Sequence, residues 1–314
     1  VLNENCPKEF QNLDRFEARQ KIISELKKIN VLHKVESYIH QVGHSERTNS
    51  IVEPYISNQW FLKMDELVIP ALKVVKNGKI KFHPERWTKT YNHWLNNIKD
   101  WCISRQLWWG HRIPVWYKED EIYCDVIPPQ EEGWKQEEDV LDTWFSSWLW
   151  PFATLGWPED NKNLKTFYPT NDLVTGPDII FFWVARMIIA GLYFKKEIPF
   201  KNVYFHGIIR DVQGKKMSKS LGNSPDPLDL INSYGADSLR VGLLLIAPQG
   251  LDILYSEDKI QHGRNFINKL WNSARFILMN AQSSNENLPE YESLHLTDKW
   301  IISKLHTVIN VIDK

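Results

Sequence analysis

The chain is poor in cysteine, in net charge and in uninterrupted apolar sequence. Its three cysteines, Cys6, Cys102 and Cys124, are too few and too scattered for a disulfide framework, and they suit a reducing compartment such as the cytoplasm. Lys and Arg number 38 against 39 Asp and Glu, so no bulk positive field gathers polyanions. Any nucleic-acid contact must come from local patches. The longest apolar stretch, residues 173–192, is broken by Asp178 and Arg186, which makes it a poor membrane span, and no membrane partner is expected. No secretory signal opens the chain, and Val1 in place of methionine suggests a piece of something longer. There is no internal repeat and no low-complexity tract. What the chain does have is tryptophan, 15 in 314 residues, and indoles favour cores and recognition surfaces. At 43% apolar and 25% charged residues the composition excludes a disordered chain.

Local patterns predict the elements. Asp14 and Glu17 form a capping-box-like start to a helix whose apolar face carries Phe16, Ile22, Ile23, Leu26 and Ile29. Residues 31–52 read as short and strand-like. Met64 to Val75 reads as a helix ended by the Asn77-Gly78 turn, and Trp87, Tyr91, Trp94, Leu95 and Ile98 mark a second. Ile113 to Tyr117 reads as a strand, and the acidic stretch to Glu138 as loop. Leu173 to Thr175 is a strand ending at Gly176-Pro177, with an apolar helix from Asp178 to about Leu192 and a further strand from Val203 to Ile209. This strand–helix–strand order predicts an α/β fold with a parallel, doubly wound sheet, whose strand ends would carry Gly176 and Arg210. Helices follow at 225–234 and 236–246. A long helix through Phe266, Leu270 and Trp271 comes next, then a polar linker at 282–294 and a last helix from near Thr297.

The sharpest chemical signal is Gly214-Lys215-Lys216-Met217-Ser218-Lys219-Ser220-Leu221-Gly222-Asn223. Two lysines three apart, with small hydroxyls between glycines, describe a strap that can close over phosphates. Its ammonium groups would stabilise charge that grows as a phosphoryl bond breaks.

The Lys216 to Ser220 string matches the KMSKS signature of class I aminoacyl-tRNA synthetases, and the chain resembles that family over essentially its whole length. Within it, the segments Asp100 to Trp116, Leu141 to Ser147 and Asp178 to Met187 are similar to the valine branch. Leu107-Trp108-Trp109-Gly110 distinguishes it from the isoleucine type, which typically has Arg-Tyr-Trp-Gly there. The resemblance implies the later half of a Rossmann-type sheet at 51–255, preceded by a remnant of an inserted editing domain at 1–50. The start of an all-α anticodon-binding domain would follow at 256–314. Two features depart from the family. The His-Ile-Gly-His signature of the first half is absent, so the chain alone would be inactive, and with most of the editing domain missing it would not edit. Ser45-Glu46-Arg47-Thr48 stands after Gly43-His44 where many relatives carry Cys-x-x-Cys, so no structural zinc or other metal ligand is expected.

The resemblance further implies ATP-dependent activation of valine and its transfer to tRNA-Val, by a cytoplasmic monomer using ATP with Mg2+. Lys216 and Lys219 would be catalytic, with Lys219, Ser218, Gly176, Asp178, His206 and Gly207 holding the nucleotide. Trp144, Ile179 and Trp183 would line the amino-acid side-chain pocket, Ile179 and Trp183 lying one helical turn apart. On periodicity alone Ile179 and Trp183 would be core; the structural alternative for Asp178 is a helix cap and for His206 a structural histidine. An isoleucine-type relative and a non-catalytic tRNA-binding module are the competing functions.

Overall fold

The structure, a computed structural model, describes residues 6–45, 48–54, 56–218, 221–281 and 290–313. The chain divides into two compact units, Val1–Asn58 and Gln59–Lys314.

In the first unit, helix α1 (Arg15–Lys28) starts where the sequence signals it, with the Asp14 carboxylate accepting from the Phe16 amide at 2.9 Å. Ala18 is buried and Ile22 and Leu26 half-buried, whereas Phe16, Ile23 and Ile29 point outward, so the inward stripe is narrower than the periodicity suggests. Arg15 donates to the Ile51 carbonyl at 2.6 Å, and Arg19 pairs with Glu53. The strands expected at 31–52 do not form among the described residues, which show an isolated His44–Ile51 bridge instead.

The second unit opens with β1 (Phe61–Leu62), α2 (Asp65–Lys76), β2 (Lys81–His83) and α3 (Trp87–Asn96). Short strands β3 (Trp101–Cys102) and β4 (Ser104–Arg105) lead to β5 (Val115–Lys118), β6 (Glu121–Cys124), β7 (Lys135–Gln136) and β8 (Val140–Leu141). The stretch expected to be loop is therefore partly sheet: β5 pairs antiparallel with β6 through a two-residue turn at Glu119-Asp120, Glu119 adopting φ 53°. Such turns favour Asn-Gly or Asp-Gly, so Glu-Asp hides the hairpin from a sequence reader.

Helices α4 (Thr143–Ser147), α5 (Trp150–Ala153) and α6 (Lys162–Phe167) precede β9 (Thr170–Thr175). The helix Pro177–Lys195 then runs through a 3-10 turn, a π segment (Ile180–Ala185), α7 (Arg186–Ala190) and a second π segment. It is long and apolar enough to cross a membrane, but every residue of α7 is buried in the protein's own core. Strand β10 (Phe200–Phe205) lies between β2 and β9 and is parallel to both, which is the sheet that the strand–helix–strand order implies. The core joins Val68, Ala71 and Val75 of α2 to Phe82 of β2, Val203 and Phe205 of β10 and Met187, Ile188, Ile189 and Ala190 of α7. Burying this much apolar surface is the main term that holds the unit together.

The chain continues through β11 (Ile209–Arg210), α8 (Pro227–Tyr234), α9 (Ala236–Ile246), β12 (Ile253–Leu254), α10 (Glu257–Asn280) and α11 (Leu296–Ile312). The strand expected at 203–209 is thus two strands, and Arg210 sits on β11, paired with β12, while His206 follows the end of β10. Gly242 of α9 and Gly263 of α10 meet with backbone against backbone, which only residues without a side chain permit. Most of the expected 282–294 linker lies outside the described residues.

Candidate active site

Strands β9 and β10 run parallel in register, Phe205 opposite Thr175, so their carboxyl ends open on the same side. Gly176 follows β9 with φ −78°, and a methyl group there would make ordinary contacts, with Ile208 at 3.5 Å and the His206 ring at 3.9 Å. Neither its backbone nor these neighbours demand glycine. His206 is exposed, its backbone N–H donating to Thr175 O at 3.1 Å and its Nδ1 lying 2.8 Å from Gly207 O. At Gly207 a methyl group would overlap the Leu251 carbonyl oxygen, so glycine is needed there for packing.

Asp178 does not cap the helix: Gly176 holds the N-cap position, with no side-chain capping bond, and Asp178 is exposed in the first turn. Its charge reaches Arg210 instead. The Arg210 guanidinium is held above its ordinary value chiefly by its hydrogen bond to Asp252, with Asp178 adding to the effect. Asp252 in turn is kept below the usual carboxylate range by Arg210, and it also accepts from the Ile208 amide at 3.2 Å. This pair fastens β11 to the segment that covers Gly207.

The strap leaves this base directly. Arg210 and Lys216 form an antiparallel bridge, and Lys216 is exposed, with no ion pair among the described residues. Asp211 gathers the strap's backbone, accepting from the amides of Gln213 at 2.9 Å and Lys215 at 2.8 Å. The Ser218 amide donates to Asn223 Oδ1 at 2.9 Å. Lys219 lies outside the described residues. Met217 is half-buried and lines a groove of about 680 Å3 with Tyr204, His206, Gly207, Ile208 and Leu244. Gly176, His206, Gly207, Asp178, Lys216 and Ser218, far apart in sequence, thus belong to the β9 and β10 ends and the strap rooted on β11.

The three side-chain-pocket candidates lie on two elements that touch. Trp144, the second residue of α4, stacks on Phe182, with ring centroids 5.9 Å apart. Trp183 donates from Nε1 to Ser147 O at 3.0 Å, which ties its helix to the end of α4. Ile179 ends the 3-10 turn and is half-buried. That turn bears both Asp178, whose charge acts on Arg210, and Ile179. Sequence reasoning gave no role to Asp142, Arg186 and Asp252, which hold these side chains, and it read Asn223 only as part of the strap string. Only Asp142 had a readable signal, an Asp just before a helix.

The comparisons with known proteins follow this geometry. The family model described as tRNA synthetases class I (I, L, M and V) matches residues 9–130 and 123–256. The chain is 52% identical to a valine–tRNA ligase of Chlorobaculum tepidum over 96% of its length, and 52% identical to that of Geobacillus stearothermophilus over 100%. It spans about 36% of the length of each. Among solved structures, Mycobacterium tuberculosis methionyl-tRNA synthetase in complex with methionyl-adenylate has a similar fold, with a TM-score of 0.64 at 23% identity over 87% of this chain and 51% of that one. A leucyl-tRNA synthetase from Agrobacterium radiobacter matches with a TM-score of 0.54 over 62% of this chain and 30% of that one. The mixed α/β fold with its parallel sheet and the family match agree, and the chain belongs to the class I tRNA synthetases of the isoleucine, leucine, methionine and valine group.

Proposed function

We infer that this chain carries the later part of the catalytic site of a valine–tRNA ligase, which activates valine with ATP and Mg2+ and transfers it to tRNA-Val in the cytoplasm. The observation that carries the reading is the convergence of the β9 and β10 carboxyl ends with a lysine strap bridged to Arg210. Ligands of open parallel sheets bind at that edge. On this reading residues 1–50 belong to an editing insertion, 51–255 to the catalytic domain and 256–314 to a helical anticodon-binding region, in a monomer.

The nucleotide lies across Gly176, with adenine beside His206 and Gly207 and ribose hydroxyls donating to Asp178. In the first step a valine carboxylate oxygen attacks the α-phosphorus of ATP, the bond to the β-phosphate bridge breaks, and pyrophosphate leaves. Lys216 and Lys219 stabilise the negative charge that builds on the leaving group, and Ser218 contributes a hydroxyl to the same phosphates. A ribose hydroxyl at the tRNA end then attacks the valyl carbonyl, and AMP departs. These residues supply positioning and charge rather than a nucleophile. Trp144, Ile179 and Trp183 enclose the valine side chain, rigid indoles setting the width.

The test uses the full-length protein in valine-dependent ATP–pyrophosphate exchange. Lys216→Ala should lower kcat about 100-fold or more while KM for valine changes less than about threefold, the pattern of a group that acts only in the transition state. Equal losses in both would contradict the role. Exchange driven by isoleucine would point to the isoleucine type, and no exchange with any amino acid would point to a binding module.

A further inference from the structure

Asp142 is a buried carboxylate, 5% exposed, that serves two elements at once. Its Oδ1 accepts from the Trp144 amide at 3.0 Å and so caps α4. Its Oδ2 accepts from Trp101 Nε1 at 2.9 Å and from Arg105 Nη2 at 2.7 Å. Its own amide donates to Ile103 O at 2.7 Å, which fixes the backbone beneath.

The second element is reached through Arg186, which is 7% exposed and lies three residues beyond Trp183 on the same helix. Its guanidinium stacks over the Trp101 ring, 3.5 Å from the centroid. Arg186 Nη1 stands 3.9 Å from Asp142 Oδ2, an ion pair too long for a hydrogen bond, and has no hydrogen-bond partner among the described residues. Burial drives its pKa down to about 10, with Asp142 opposing the fall and Arg105 adding to it, so it remains a cation at neutral pH. A buried cation with an unpaired amine is a poor stabilising device, and an apolar residue of similar volume commonly serves stability as well or better. Its neighbours Met187, Ile188, Ile189 and Ala190 are all apolar and buried.

We propose that Asp142 and Arg186 are positioning residues that set the width of the amino-acid side-chain pocket, a role resting on the assignment of Trp144, Ile179 and Trp183 to that pocket. One carboxylate holds the backbone of Trp144 with one oxygen. Through the other it faces the cation of the helix that bears Ile179 and Trp183. The Trp183 to Ser147 bond is a second tie between the same elements. With two ties the separation of the indoles cannot drift without breaking buried polar contacts, and a pocket that must exclude one methylene needs that constancy. A methylene is worth only about 10–200-fold in discrimination, so a small loosening consumes much of it.

The experiment compares wild type, Arg186→Met and Trp101→Phe in the full-length protein by ATP–pyrophosphate exchange with valine, isoleucine and threonine. Trp101→Phe keeps the ring under Arg186 but removes the donor to Asp142, and it decides the question if Arg186→Met does not fold. The expected result is a fall of about tenfold in the valine-over-isoleucine ratio of kcat/KM, with kcat for valine reduced less than about threefold and KM for ATP unchanged. Equal losses for all three amino acids, or an unchanged ratio in both variants, would overturn the positioning role while leaving the pocket assignment intact. A wild type that does not select valine would overturn the assignment and the proposal together.

Discussion

The Asn223 side chain donates from Nδ2 to Asp211 Oδ2 at 2.8 Å, while its own oxygen accepts from the Ser218 amide. The root and the far end of the lysine strap are thereby clasped across twelve residues. Asp211 is held below the usual carboxylate range chiefly by Asn223, with the Lys215 amide contributing. On the proposed reading the strap grips phosphates only if its ammonium groups arrive in register, and this clasp helps set where the Lys216 and Ser218 backbones stand.

Asn223→Ala should therefore act on kcat. In the full-length protein the expected outcome is a loss of about 10–100-fold in kcat for valine activation with little change in KM for valine, read by pyrophosphate exchange. A change confined to KM would mean that the clasp does not position the strap.

The Arg210–Asp252 pair gives a pH dependence with a definite sign. Asp252 has a folded pKa below its unfolded value, so its contribution is complete above the ordinary carboxylate pKa and is lost as pH falls through the lowered one. The difference in urea stability between wild type and Asp252→Asn should accordingly be present at neutral pH and vanish toward strongly acid pH. It should be modest, because the two side chains are 29% and 34% exposed.

Close backbone contact demands glycine at Gly207 and at Gly263. Gly207→Ala would press a methyl group into the Leu251 carbonyl, and Gly263→Ala would press one against Ser238 O and the Gly242 backbone. Each should lose about 1–3 kcal/mol in chemical denaturation, the usual cost of overpacking. Gly43→Ala, with nothing within 4 Å of the new carbon, should match wild type.

Asp142→Ala should be the most damaging single change. It leaves the Arg105 guanidinium and the Trp101 N–H without their shared acceptor and the buried Arg186 cation without its counter-charge. Removing one member of a buried charged set costs about 3–5 kcal/mol. Asp142→Asn, which keeps a carbonyl for the Trp144 amide, should fall between that and wild type, as thermal unfolding would show.

What the amino-acid order determined by itself is local. The Lys216 to Asn223 string, the Asn77-Gly78 stop after α2, the Asp14 cap and the β9–helix–β10 succession are carried by neighbouring residues, since capping, turn chemistry and periodicity act within a few positions. Tertiary structure decided what depends on distant partners. Gly207 needs Leu251, Asp211 needs Asn223, and Arg186 looks like a mere interruption of an apolar run until folding brings Trp101 and Asp142 beside it. The turn at Glu119-Asp120 likewise follows from the pairing of β5 with β6, because hydrogen bonds across strands outweigh a weak local preference.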